Sequence, residues 1–154
     1  MTNENETNFN EIAEALAKAA GLESLKQNEE GQILFALDET MGVSLASENE
    51  EDVGCDMVIA SIIVGPAPEE AEALRELLEE NYLGAGSGDG SFSIESESNA
   101  VVLYRCFPLP VEPADFVNAF GRLVSAARAV KARLEGKPEV AQDGADAKSF
   151  IVNP

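Results

Sequence analysis

"NYLGAGSGDGSF", residues 81–92, decides between two kinds of fold. Glycine stands at every second position: Gly84, Gly86, Gly88 and Gly90. Such a run invites comparison with a phosphate-cradling loop, which would make the chain a nucleotide-binding α/β protein. Phosphate loops lead from a strand into a helix, whose N-terminus receives the anion, and a Walker loop closes on Gly-Lys-Ser/Thr. The dinucleotide fingerprint has the same strand-to-helix order. Here the order is reversed. Helix-like "PEEAEALRELLEENYL" (68–83) precedes the run and strand-like "SFSIESE" follows it. No lysine lies in the run, and Asp89 puts a negative charge inside it. The run therefore reads as a helix stop leading into a strand. Gly84 suits the left-handed C′ position, and "GDG" suits a turn. No nucleotide or other cofactor is expected.

Outward from the run, the elements follow from periodicity. "NFNEIAEALAKAAGL" (8–22) opens on Asn8-x-x-Glu11, a capping pair. Phe9, Ile12, Ala13, Leu16 and Ala20 keep helical spacing, and Gly21 ends the helix. "GQILFAL" (31–37) is a strand, "DETMG" a turn, "VSLAS" (43–47) a second strand and "ENEEDVG" an acidic loop. "CDMVIASIIVG" (55–65) is a long third strand, closed by "PAP". A second helix runs from about Pro68 to Tyr82, with Pro68 in its first turn and Glu69 and Glu70 facing its positive dipole end. "SFSIES" and "NAVVLYRCFPL" form a hairpin around "ESN". The last helix spans 113–134, with Phe116, Phe120, Leu123, Ala127, Val130 and Leu134 as its apolar stripe, before Gly136 and Pro138. Residues 1–7 are expected to be a disordered N-terminus, 8–135 one domain, and 136–154 a flexible tail. The order α-β-β-β-α-β-β-α is that of an α+β domain: an antiparallel twisted sheet with three helices.

Composition narrows the function. The chain has 154 residues, 45% of them hydrophobic, which suits one domain with a real core. A net charge of −19 repels phosphate backbones and anionic lipid, so no nucleic acid partner and no membrane insertion are expected. The N-terminus is polar and acidic, without the basic start or apolar run of a signal peptide. Histidine is absent, which removes the commonest general base and metal ligand. The carboxylates are scattered, and "SENEED" (47–52) lacks the spacing and the glycine of a calcium loop. No catalytic or metal site is expected, and the chain does not read as an enzyme. Cys55 and Cys106 sit inside apolar runs and read as buried, reduced thiols, which fits the cytoplasm.

The strands carry a further demand. "ILFAL", "MVIASIIV" and "AVVLY" are apolar at nearly every position. An antiparallel sheet with one wet face alternates apolar and polar residues. Three helices cover one face fully and the other in part. A second subunit or a bound partner chain is the economical cover for the rest; a monomer with helices on both faces is the other arrangement.

In this order and spacing the chain resembles the class I type III secretion chaperones, the CesT/SycE-like proteins of the Tir chaperone family. The resemblance is carried by "FNEIAEALAKAAGLESL", the hairpin "GQILFAL…VSLA", the stretch "LRELLEENYLGAGSGDGSFSIESESNAVVLYRCFPL" and "PADFVNAFGRLVSAARAVKARL". In that family a leucine-rich helix ends in Asn plus an apolar residue, and two strands follow a glycine-bearing turn. The resemblance covers residues 8 to 135. It implies a type III secretion chaperone-like fold and a cytoplasmic homodimer. Such a dimer binds the N-terminal segment of an effector protein in extended form and keeps it soluble and export-competent. Contact with the secretion apparatus is a further implied partner. The implied dimer contact is the second helix with the strand pair after it, here Leu74, Leu77 and Leu78 with Val101 and Leu103. The implied client site lies on the first helix and the first three strands: Ile12, Leu16, Leu22, Leu25, Ile33, Leu34, Phe35, Leu37, Val43 and Leu45. Alternation puts Ile33, Phe35 and Leu37 on one face and Leu34 and Ala36 on the other. One face should pack on helix and the other meet the client. The alternative is a small acidic α/β interaction or regulatory domain that binds a folded partner. The reversed order around the glycine run yields a direct expectation: calorimetric titration with ATP or GTP shows no binding at micromolar concentration.

Overall fold

The apolar runs become neighbouring strands. The structure, a computed structural model, describes residues 3–50, 55–136 and 152–153. Strands β1 (Ile33–Leu37), β2 (Met41–Glu50) and β3 (Cys55–Pro66) form an antiparallel meander. β4 (Ser91–Glu95) and β5 (Ala100–Pro108) form a hairpin whose β5 pairs with β3. Helices α1 (Asn3–Ala20), α2 (Ala71–Glu80) and α3 (Pro113–Leu134) complete the expected order α-β-β-β-α-β-β-α. A two-residue strand, β6 (Val152–Asn153), extends the sheet to the order β4-β5-β3-β2-β1-β6.

Strand alternation sorts the sheet into two faces. On the inner face Ile33, Phe35 and Leu37 stand opposite Leu45, Val43 and Met41, and the same layer continues through Ile62 and Leu103. All of these are buried against α1 and α3. Phe9, Ile12 and Leu16 supply the α1 stripe, and Phe116, Phe120 and Leu123 that of α3. Phe116 meets Phe107 edge-on at 4.8 Å between centroids, and Phe120 meets Phe35 at 6.1 Å. Each such side chain contributes about 1.5–3 kcal/mol by leaving water.

Several expectations are corrected. α1 begins at Asn3, so residues 3–7 are helix and not a disordered N-terminus. The reason is tertiary: the Asn5 amide donates to the Asp56 carboxylate at 2.6 Å. Asn8 is not a cap. It is buried inside α1, donating to the Val111 carbonyl at 2.8 Å and accepting from the Val111 N–H at 2.9 Å. Residues 48–50 continue β2 and do not belong to the acidic loop, because the β2–β3 ladder runs on to Glu50 opposite Cys55. Cys106 is exposed, not buried, because its β5 position faces away from the helices. The Cys55 side chain and most of the expected tail, 137–151 and 154, lie outside the described residues.

The glycine run makes a bend that passes close to α3. α2 stops at Glu80, and a 3₁₀ turn covers Tyr82–Gly84. Gly84 is left-handed, at φ 73, but at the end of that turn and not at C′ of α2. Asn81 clamps the helix end to β4: its amide donates to the Phe92 carbonyl at 3.1 Å, and its oxygen accepts from the Phe92 N–H at 2.7 Å. At Gly88, φ is +60 and an added Cβ would stand 2.5 Å from the Arg122 carbonyl oxygen. Asn81→Ala is expected to cost about 1–3 kcal/mol, since Phe92 is buried and loses both partners. Gly88→Ala is expected to cost about 1 kcal/mol or more from backbone strain alone. Urea unfolding measures both; a change within about 0.5 kcal/mol, the range of a bland surface substitution, contradicts the account.

Candidate functional site

The residues around β1 separate into a sealed layer and a surface layer. Ile12, Leu16, Ile33, Phe35, Leu37, Val43 and Leu45 are each 7% exposed or less, and all belong to the core under α1 and α3. Leu34, on the opposite face of β1, is 59% exposed. Leu22 and Leu25 are half-buried against the core. They line a groove along α1 with Ala13, Ala17, Glu14 and Lys18. The face of β1 that packs on helix is therefore Ile33–Phe35–Leu37. The surface residues of the expected set are Leu22, Leu25 and Leu34. The turn after β1 is held to α3 by a two-pronged ion pair, Arg128 to Asp38, at 2.7 and 2.8 Å.

The outer face of the sheet adds two residues that sequence reasoning missed. Leu34 lies across from Ser44, Ser44 from Ser61, and Ser61 from Tyr104. Ile63 and Tyr104 are 51% and 38% exposed on that face. The signal was available: once Ile62 points to the helices, Ile63 must point away. Serines interrupt the apolar side chains there, so the outer face is mixed.

A second apolar surface lies at the other edge of the sheet. Leu74, Leu77, Leu78, Phe92, Ser93 and Ile94 line a cleft of about 190 Å³ between α2 and β4. Leu77 anchors α2 inward, while Leu78 is 70% exposed and Ile94 is 40% exposed. Leu74 and Leu78 are one turn apart and share a helix face. Val101 and Leu103, by contrast, are fully buried in β5 and belong to the chain's own core. Arg133 fixes the end of α2 to α3 through Glu80 at 2.7 Å. In the β4–β5 turn, the Ser98 hydroxyl and the amides of Ser98 and Glu97 donate to Glu95 and hold its carboxyl below the usual range.

Among the described residues no cluster of three His, Cys, Asp or Glu could hold a metal ion. No helix among the described residues is long and apolar enough to cross a membrane.

The model of the Tir chaperone protein (CesT) family matches residues 11–131. The chain belongs to the CesT family. No curated sequence matches it. Solved structures of similar fold include a chain from the Yersinia pestis type III secretion chaperone SycH in complex with a stable fragment of YscM2. That chain is 21% identical, with a TM-score of 0.59, and the match covers 77% of this chain and 96% of that one. A chain of the ExsC–ExsE complex is 23% identical, covers 82% and 92%, and has a TM-score of 0.61. A chain of the HopA1–SchA chaperone–effector complex is 13% identical, covers 85% and 98%, and has a TM-score of 0.63. The matched CesT region holds both apolar surfaces, the groove along α1 and the α2–β4 cleft.

This CesT-family chain should respond differently to polar substitution in its two layers. Leu16→Asp and Phe35→Asp bury a charge in the core and should abolish the cooperative melting transition. Leu34→Asp and Ile63→Asp should keep it, with midpoints within a few degrees of the parent. Circular dichroism melts read the difference, and an unfolded Leu34→Asp protein would contradict the assignment of faces.

Proposed function

We propose that this chain is a cytoplasmic secretion chaperone that binds the N-terminal segment of a type III effector. It holds that segment extended, soluble and ready for export. The observation that carries the reading is an apolar groove along α1, lined by the half-buried Leu22 and Leu25, with Leu34 exposed on the outer face of β1, in a chain of the CesT family. Leu22, Leu25 and Leu34 stand at the surface while the core beneath them is sealed. An extended peptide uses such a surface by setting apolar anchors in the groove and main-chain hydrogen bonds on the strand edge. Solved chains of this fold come from complexes described as chaperone with effector, or chaperone with a protein fragment, which supports the same reading. The net charge of −19 keeps the apolar grooves in solution and favours a basic or neutral client. The chain works by binding alone, without a cofactor and without catalysis.

The α2–β4 cleft is the subunit surface of this reading, with Leu74, Leu78 and Ile94 at its centre. Two copies joined there would cover Leu78, which is 70% exposed. Val101 and Leu103 support the contact from beneath, as core.

Two outcomes test the proposal. Co-purification from the native cell with mass spectrometry should recover a secreted protein bound through its N-terminal segment. Leu22→Asp, Leu25→Asp and Leu34→Asp should each stay folded and weaken that binding at least about tenfold, the loss of one buried anchor. If every folded variant binds normally, the site lies elsewhere. Light scattering should give a dimer at micromolar concentration and a monomer for Leu78→Asp; a monomeric parent rejects the dimer.

A further inference from the structure

β1 is the strand at which the sheet would otherwise end. β2 takes one side of it. The other side is met by the chain's own C-terminus: Val152 pairs antiparallel with Leu37, and Asn153 with Ala36. An edge strand offers its unpaired N–H and C=O groups to any extended peptide. We infer that the C-terminal tail is a guard strand, which occupies the β1 edge of its own chain and must leave before an extended partner pairs along the whole of β1. The regulatory meaning rests on β1 being the client edge; the tail pairing itself does not.

The chain's chemistry fits a strand of this kind. Phe150, Ile151 and Val152 are β-favouring residues, and Pro154 after them has no N–H to donate. The tether is long enough. Arg128 of α3 already touches the turn after β1 through Asp38. Gly136 leaves α3 only about 12 Å further on. Residues 137–151 then reach up to roughly 50 Å when extended. A tether of this kind keeps the strand at roughly millimolar effective concentration. The guard is also built to yield. Among the described residues β6 meets Ala36 and Leu37, a pairing of two residues. An incoming segment that pairs with more of the β1 edge can displace it. A dilute or short segment cannot.

The test uses the full chain and its double variant Val152→Pro, Asn153→Pro. Successive strand N–H groups point to opposite edges, so two prolines remove the donor whichever residue faces β1. Amide hydrogen exchange is the first readout. In the parent, one of the Ala36 and Leu37 amides should be protected by β6. In the variant it should exchange about tenfold faster or more, while the β2–β3 amides are unchanged. The second readout is binding of a fluorescein-labelled synthetic peptide, KSFIVNP, the tail's own sequence. The variant should bind this probe about threefold to tenfold more tightly than the parent, whose edge is already occupied. Parental protection should not change on dilution. Equal exchange at Ala36 and Leu37 in the two proteins, no gain in probe binding, or protection lost on dilution each overturns the guard strand. If both readouts hold and no cellular client is captured, the guard strand stands and the chaperone reading falls.

Discussion

One face of this sheet is sealed by α1 and α3, and the rest of the molecule follows from how that seal is made. Phe9, Ile12 and Leu16 from one helix and Phe116, Phe120 and Leu123 from the other close over the inner layer. That burial stabilises the domain without help from the outer face or from the ends of the sheet. Apolar side chains can therefore stay in water where a partner needs them. A site made of core residues could not do this, because an exposed core residue is a lost contribution to folding. Here the exposed layer and the folding layer are different residues of the same strand: Leu34 outward, Ile33 and Phe35 inward.

The seal is braced by polar clamps between elements. Asn8 holds α1 to the backbone leading into α3, Asn81 holds α2 to β4, and Arg128 holds α3 to the β1–β2 turn. The Asn8 and Arg128 clamps join elements far apart in sequence, and the two asparagines satisfy backbone groups that would otherwise be buried without partners. On the outer face, Ser44 and Ser61 separate Leu34 from Tyr104, which breaks up the apolar area that faces solvent. The large negative charge adds repulsion between copies.

Much of this was legible in the sequence, because the strong periodic segments are also the sheet and the long helices. The third helix is bounded at Pro113 and Leu134 as its stripe and stop residues imply. The reversed order around Gly84–Gly90 was enough to reject a phosphate loop. Tertiary contacts were not legible. Asn8 reads as a cap from its neighbours alone, and only the approach of Val111 makes it a buried clamp. Asn3–Thr7 carry no apolar stripe, yet Asp56 draws Asn5 into the helix. The apolar runs suggested strands buried on both faces. The register instead leaves Leu34 and Ile63 more than half open and Tyr104 38% exposed, because each pairs with or lies beside small residues. The tail strand had a local signal in "FIV", but three β-favouring residues do not say which edge they meet.

The central claim is that an extended client occupies the surface around β1 while the core beneath stays closed. Hydrogen exchange on the co-purified complex and on the chaperone alone tests it most directly. The account predicts new protection on the chaperone at Leu22–Leu25 and along Ile33–Phe35. The client's N-terminal segment should be protected only in the complex, and α3 should be unchanged. Protection confined to other surfaces, with residues 22–25 and 33–35 exchanging as in the unbound protein, would contradict it.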